Sequence, residues 1–142
     1  MERCAGGFLL DGDRVLLGKR SAERELYPGV WDTIGGHCRP GETPEETLAR
    51  ELREEIDVTP ERFTKLAVLM EPRPDLHGEL EYHMYAITAW SGPGPVALGD
   101  EHEEIRWVPI DEIDQVNHAH PATPELIATV RERLATESDR TA

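Results

Sequence analysis

Apolar residues near the start of the chain fall into two runs, "CAGGFLL" and "VLLGK", separated by Asp11-Gly12-Asp13. An Asp-Gly turn between two such runs predicts a β-hairpin with strands near 3–10 and 14–20. Val15 and Leu17 alternate with Leu16 and Gly18, which suits a sheet covered on both faces. "SAERELYPGVWDTIGG" carries Pro28, Gly29, Gly35 and Gly36 and reads as a loop interrupted by a short strand near 31–34. After the turn "RPGE", Thr43 can cap a helix, Pro44 fits its first position and Glu46 completes a capping box, so a helix is predicted over about 44–56. Asp57 stands where that helix ends, and Asp tolerates the left-handed conformation needed there.

Farther on, "FTKLAVLM", "LEYHMYAITAW" and "EIRWV" are rich in β-branched and aromatic residues and predict strands at 63–71, 80–90 and 104–108. "SGPGPVALGD" is a Gly/Pro loop between the last two. Leu126, Ile127, Val130 and Leu134 recur at helical spacing and predict a final helix over about 123–135. The pattern is that of a mixed β-sheet with at least two helices, an α/β sandwich forming one domain over 1–136 with a frayed tail at 137–142. A chain of 142 residues is long enough to bury such a core without disulfides or metal staples.

Charge narrows the partners. A formal net charge of -14 argues against a surface that grips a nucleic acid polymer, whose affinity comes mostly from Lys and Arg on phosphates. The same charge suits recruitment of divalent cations. Cys4 and Cys38 have no CxxC spacing, so neither a zinc site nor a disulfide framework is indicated. No apolar segment approaches a membrane span and no leader pattern opens the chain, so a cytoplasmic protein that does not bind membranes is expected. The acidic surface neither requires nor excludes a homodimer.

A cluster of carboxylates sits on the helix at 44–56. At roughly 100° per residue, Glu51, Glu54 and Glu55 fall within about a 100° arc, flanking the apolar stripe of Leu48, Leu52 and Ile56. Like charges at these spacings repel, and partial burial raises the cost. Arg50 and Arg53 point elsewhere on the wheel and cannot neutralise all three groups. A divalent cation such as Mg²⁺ or Mn²⁺, which takes hard oxygen ligands alongside substrate phosphates, can. A solvated acidic helix face is the plain alternative.

The surrounding spacing decides against that alternative. Gly36, Glu42 and "RELREEIDV" match the pattern G-x5-E-x7-R-E-U-x-E-E-x-G-U, where U is a bulky aliphatic, with Asp57 in place of the last Gly. On these residues the chain resembles the Nudix hydrolases, which cleave nucleoside diphosphates linked to another moiety, and within them the MutT-type nucleoside triphosphate pyrophosphohydrolases. The resemblance implies a Nudix α/β/α sandwich with a mixed sheet. It also implies Mg²⁺ or Mn²⁺ bound by Glu51, Glu54 and Glu55 with the Gly36 carbonyl, and an Arg50–Glu42 ion pair that ties the loop to the helix. Glu101, six residues before Trp107, matches an extra acidic metal ligand and is the first choice of general base, with Glu104 second. The expected catalytic set is therefore Glu54, Glu101, Glu104 and Arg50.

Arg20, at the end of a strand, falls where the family often places a cation over the substrate phosphates, and Arg suits that contact. Asn117 falls where an amide can read a purine edge. His102 is a weaker candidate base, and Tyr82, Tyr85 and Trp90 read first as core aromatics. The implied substrate is a nucleoside triphosphate, an oxidised one included, cleaved to monophosphate and pyrophosphate. The alternatives are ADP-ribose, nucleotide sugars or dinucleotide polyphosphates, an isoprenoid-diphosphate isomerase, or a non-catalytic nucleotide sensor. Isomerase chemistry calls for a pocket cysteine, and Cys38 is not an obvious match for it.

Overall fold

The turn at Asp11-Gly12-Asp13, with Gly12 at φ 62°, joins two antiparallel strands, β1 (Glu2–Asp11) and β2 (Arg14–Arg20). The computed structural model describes residues 2–21, 29–98, 102–130 and 132. Within them follow β3 (Trp31–Asp32), β4 (Ile34–His37), α1 (Pro44–Ile56), β5 (Thr59–Met70), the one-turn α2 (Pro74–His77), β6 (Leu80–Ser91), β7 (His102–Pro109), a 3₁₀ segment (Ile110–Gln115) and α3 (residues 123–130).

β1 organises the sheet because it has partners along both edges. It runs parallel to β6, from Glu2 opposite Leu80 to Leu9 opposite Ile87, and antiparallel to β4, from Cys4 opposite His37 to Gly7 opposite Ile34. The strands order as β3-β2-β1-β6-β5, with β4 beside β1 and β7 beside β2. Successive residues of a strand point to opposite faces, and both faces are apolar here. Phe8, Leu10, Val15 and Leu17 pack with Ile113 of the 3₁₀ segment and with Ile127 and Val130 of α3. Leu9, Leu16, Ile34, Tyr85 and Ile87 pack against Leu48, Leu52 and Ile56 of α1. The result is the expected α/β/α sandwich around a mixed sheet.

Several boundaries shift. The strand expected at 31–34 is two strands separated by Thr33. β5 begins at Thr59, not 63, because an edge strand accepts Pro60 and the charged pair that follows it. α2 and the 3₁₀ segment were not expected; each is too short to show a hydrophobic period. The last turns of the final helix, apart from residue 132, and the tail at 137–142 lie outside the described residues. No helix among the described residues is long and apolar enough to cross a membrane.

Candidate active site

α1 is held at both ends by the residues that predict it. Thr43 Oγ1 accepts from the Glu46 N–H at 3.1 Å, and the Glu46 carboxylate accepts from the Thr43 N–H at 3.0 Å. Asp57 closes the helix at φ 60°, ψ 42°, in the left-handed region where the family pattern has Gly, and its N–H donates to Leu52 O. Burying Leu48, Leu52 and Ile56 fixes the rotation of the helix. Glu51 and Glu55 are thereby drawn in, at 8% and 5% exposure, while the side chain of Glu54 stays about half exposed, at 52%.

Arg50 does more than the helical wheel implied. Its guanidinium grips Glu42 through Nε at 2.8 Å and Nη2 at 2.9 Å, and Nη2 also donates to the His37 carbonyl at 3.0 Å. Nη1 turns back to Glu51 at 2.8 Å and Glu54 at 3.3 Å. The expectation that Arg50 points away from the carboxylates is corrected, because a side chain of this length bends around the helix to reach neighbours that its Cα direction misses. Glu42 also accepts from the Thr47 hydroxyl at 2.7 Å and the Arg39 N–H at 3.0 Å, and Arg50 beside it holds its carboxyl well below the usual carboxylate range. The loop from His37 to Glu42 is thus pinned to α1.

Glu55 is left out of this network. Both of its carboxylate oxygens are buried with no hydrogen-bond partner among the described residues. A buried ionised carboxylate without a partner costs several kcal/mol in an ordinary interior. No three His, Cys, Asp or Glu side chains among the described residues converge as a metal-ligand cluster, since Glu51 and Glu54 turn toward Arg50. The donor chemistry nevertheless fits Mg²⁺ or Mn²⁺: hard carboxylate oxygens, one of the three groups buried and uncompensated, and a backbone approach at Gly36. A Cβ on Gly36 would stand 2.6 Å from Glu51 Oε1, so only glycine leaves room for that carboxylate beside β4.

A cavity of about 610 Å³ brings Gly36, Arg50, Glu51 and Glu54 together with Arg20, Asp32 and His102. Arg20 Nη1 lies 3.2 Å from Asp32 Oδ2, and Asp32 Oδ1 accepts from the Thr33 N–H at 2.8 Å. Burial pushes the Asp32 carboxyl up, against the opposing pull of Arg20. Cys4 and Cys38 also line the cavity; Cys4 Sγ lies 3.5 Å from His37 Nδ1.

Three predicted site residues fall outside the cavity lining: Glu55, which is buried on α1, and Glu104 and Asn117, which stand on other elements. Glu104 is paired with Lys19 across β2 and β7, exposed, and bonded to Arg106 at 3.4 Å, outside the cavity lining. Asn117 is exposed and also outside the lining, where its carbonyl accepts from the Trp31 N–H at 2.7 Å. Its backbone thus docks α3's leading loop onto β3, which is a structural task. Glu101 lies outside the described residues. Of the aromatics, Tyr85 is core and hydrogen-bonds Glu45, Trp90 stacks on Trp107, and Tyr82 lines the cavity. Asp32, Glu71 and His102 line the cavity without having been singled out as site residues, or only weakly. For Asp32 a signal existed in its place one residue past Trp31, opposite the strand that carries Arg20; for Glu71 none did.

The NUDIX domain family matches residues 2–130. The chain belongs to the Nudix family. Among curated relatives, the nucleoside triphosphatase NudI of Salmonella paratyphi B is 33% identical over 106 residues, 69% of this chain and 74% of that protein. An isopentenyl-diphosphate Delta-isomerase of Cereibacter sphaeroides is 30% identical over 119 residues, 80% of this chain and 67% of that protein. Among solved structures, a MutT NUDIX hydrolase from Burkholderia pseudomallei is 28% identical with a TM-score of 0.78, covering 89% of this chain and 95% of that one. Nudix membership and this MutT-type likeness support hydrolase activity on a nucleoside diphosphate linked to another group.

Proposed function

We propose that the chain hydrolyses a nucleoside triphosphate to a monophosphate and pyrophosphate with the help of Mg²⁺ or Mn²⁺. The observation that carries this reading is Glu55, a buried carboxylate without a partner, one helical turn from a second buried carboxylate, Glu51. Glu51, Glu54 and Glu55, with the Gly36 carbonyl and Glu101, would hold the cation. Bound there, it would supply charge that neutralises the phosphates and acidifies water.

The chain's own groups do the rest. Arg50 holds Glu51 and Glu54 at the cavity wall and fixes the loop that follows Gly36. Arg20, steadied by Asp32, presents a guanidinium in the cavity that suits a terminal phosphate. Glu101 is the proposed general base, by its place six residues before Trp107. Glu104, the second choice, is paired with Arg106 outside the cavity lining.

The likeness to a nucleoside triphosphatase supports the triphosphate over other diphosphates. A panel of nucleotides with Mg²⁺, products identified by mass spectrometry, tests it. Monophosphate plus pyrophosphate is the expected outcome; two monophosphates from a nucleotide sugar or ADP-ribose would replace the triphosphate, and no turnover of any diphosphate would overturn the reading.

A second reading, isomerisation of an isoprenoid diphosphate, draws on the 30% identity to the isomerase and on Cys4 and Cys38 in the cavity. Conversion of isopentenyl diphosphate, lost in Cys38→Ser, would favour it.

A further inference from the structure

Across the cavity floor, Leu69, Tyr82, Cys4 and His37 occupy one row of paired positions on β5, β6, β1 and β4. At the spacing of neighbouring strands, the wall made by β5 and β6 lies about 10–15 Å from the loop that α1 holds. That is the length of a nucleotide, from phosphate to base. Glu71 stands at this far wall, 5% exposed, just past the end of β5. Its Oε1 accepts from the Arg73 N–H at 3.1 Å and its Oε2 from the Tyr82 hydroxyl at 2.5 Å. Tyr82 lies edge-on to the His120 ring at 5.9 Å. His120 accepts from the Ala122 N–H at Nδ1, which leaves Nε2–H to donate to the Met70 carbonyl at 2.9 Å. Its ring is locked and its polar edge used, so it shapes this wall while Glu71 supplies the acceptor. Leu69, Leu80 and Met84 complete an apolar lining.

We propose that Glu71 reads the base of the nucleotide and selects a guanine-type edge. The inference rests on the reading of the chain as a nucleotide hydrolase and adds to it the substrate's base. Donors on both oxygens favour the ionised carboxylate, which only accepts hydrogen bonds. Two acceptors side by side match two donors side by side, and guanine alone among the common bases offers them, at N1–H and the 2-amino group. Adenine and cytosine set a ring nitrogen lone pair beside their amino group, and uracil flanks its N–H with carbonyls. Each would turn a lone pair toward the carboxylate. The amide of Asn117, which could have suited those edges, is outside the cavity lining.

The test compares kcat/KM for GTP, ITP, ATP, CTP and UTP in the wild type, Glu71→Gln and Tyr82→Phe. ITP lacks only the 2-amino group, so the GTP-to-ITP ratio reports this contact and would not respond to a structural role of Glu71. The wild type should favour GTP over ITP at least tenfold, since a site built around a donor rejects the analogue without it. Glu71→Gln, which puts an amide N–H against the base donors, should bring that ratio below threefold. Tyr82→Phe removes one bond that aims Glu71 and should lower the ratio partway; it carries the test if Glu71→Gln does not fold. A ratio unchanged in both variants, or a wild type that prefers another base to GTP, overturns the role of Glu71 while nucleotide hydrolysis stands. A wild type that turns over none of the five overturns the nucleotide reading, and this inference with it.

Discussion

Arg50 and Glu42, eight residues apart, meet in a two-pronged ion pair, Nε to Oε2 at 2.8 Å and Nη2 to Oε1 at 2.9 Å. The planar fork of Arg is what allows a single side chain to serve Glu42, Glu51, Glu54 and the His37 carbonyl together. Lys has one charge centre and cannot span them. Arg50→Lys should therefore lower kcat by about 100-fold, the scale of a misplacement near 1 Å, while circular dichroism stays unchanged. Glu42 adds a pH dependence. Its folded pKa is depressed by Arg50, so its contribution to stability is complete above the unfolded value near 4.3 and is lost as pH falls through the folded value. Melting curves from pH 7 to 3 should show the wild type losing its advantage over Glu42→Gln on acidification.

Glu55 should behave as a group selected for function against stability. Glu55→Gln removes a buried charge that has no partner among the described residues, so the metal-free protein should melt higher than wild type. Mg²⁺ should raise the wild-type melting temperature, by an amount equivalent to about 2.7 kcal/mol at a hundredfold excess over Kd. That gain should shrink in the variant, and hydrolysis should fall with it. A wild-type melt indifferent to both Mg²⁺ and Mn²⁺ would count against the proposed cation.

The adjacent glycines of β4 should fail in different ways. A Cβ on Gly35 would come within 2.0 Å of the Ala5 carbonyl, and backbone must move to admit it. Gly35→Ala should cost about 3 kcal/mol, the upper range for overpacking. On Gly36 the Cβ would meet the movable end of Glu51 instead. Gly36→Ala should keep most of its stability in urea titrations while losing activity about as severely as Arg50→Lys.

Cys4 should contribute to the loss of stability at alkaline pH. Burial pushes its thiol up to about 12, whereas in the unfolded chain it ionises near 8.5. Between those values the unfolded chain releases a proton that the folded protein keeps, so stability falls as pH rises, by up to about 1.4 kcal/mol per pH unit. Urea midpoints at pH 8 and 10 should fall more steeply in wild type than in Cys4→Ala. Cys38, half-buried, should react with a thiol reagent well before Cys4.

What the sequence made legible was local. The Asp11-Gly12 turn, the capping box at Thr43 and Glu46, and the left-handed Asp57 each have a chemistry that acts within a few residues, and each stands where it was expected. Hidden were arrangements that depend on side-chain reach or on distant strands. The wheel gives the direction in which Arg50 leaves the helix, not where its guanidinium arrives at the end of a long, flexible side chain. Asn117 was placed by likeness in sequence position, and in the fold it is exposed and outside the cavity lining. Glu71, in "MEPRP", carries no periodic or motif signal; it becomes a wall of the site only because β5 ends beside β6.

The parallel pairing of β1 with β6 also orders events in time. Glu2 through Leu9 cannot meet Leu80 through Ile87 until more than half the chain has been made. At roughly 5–20 residues per second, the opening strand waits on the order of 4 to 16 seconds during synthesis, with Phe8 and Leu9 still lacking the sheet neighbours that will enclose them. The same strand that supplies the floor of the finished cavity is, in the nascent chain, a segment long exposed to wrong partners, and β2, which waits for β7, is exposed for longer still.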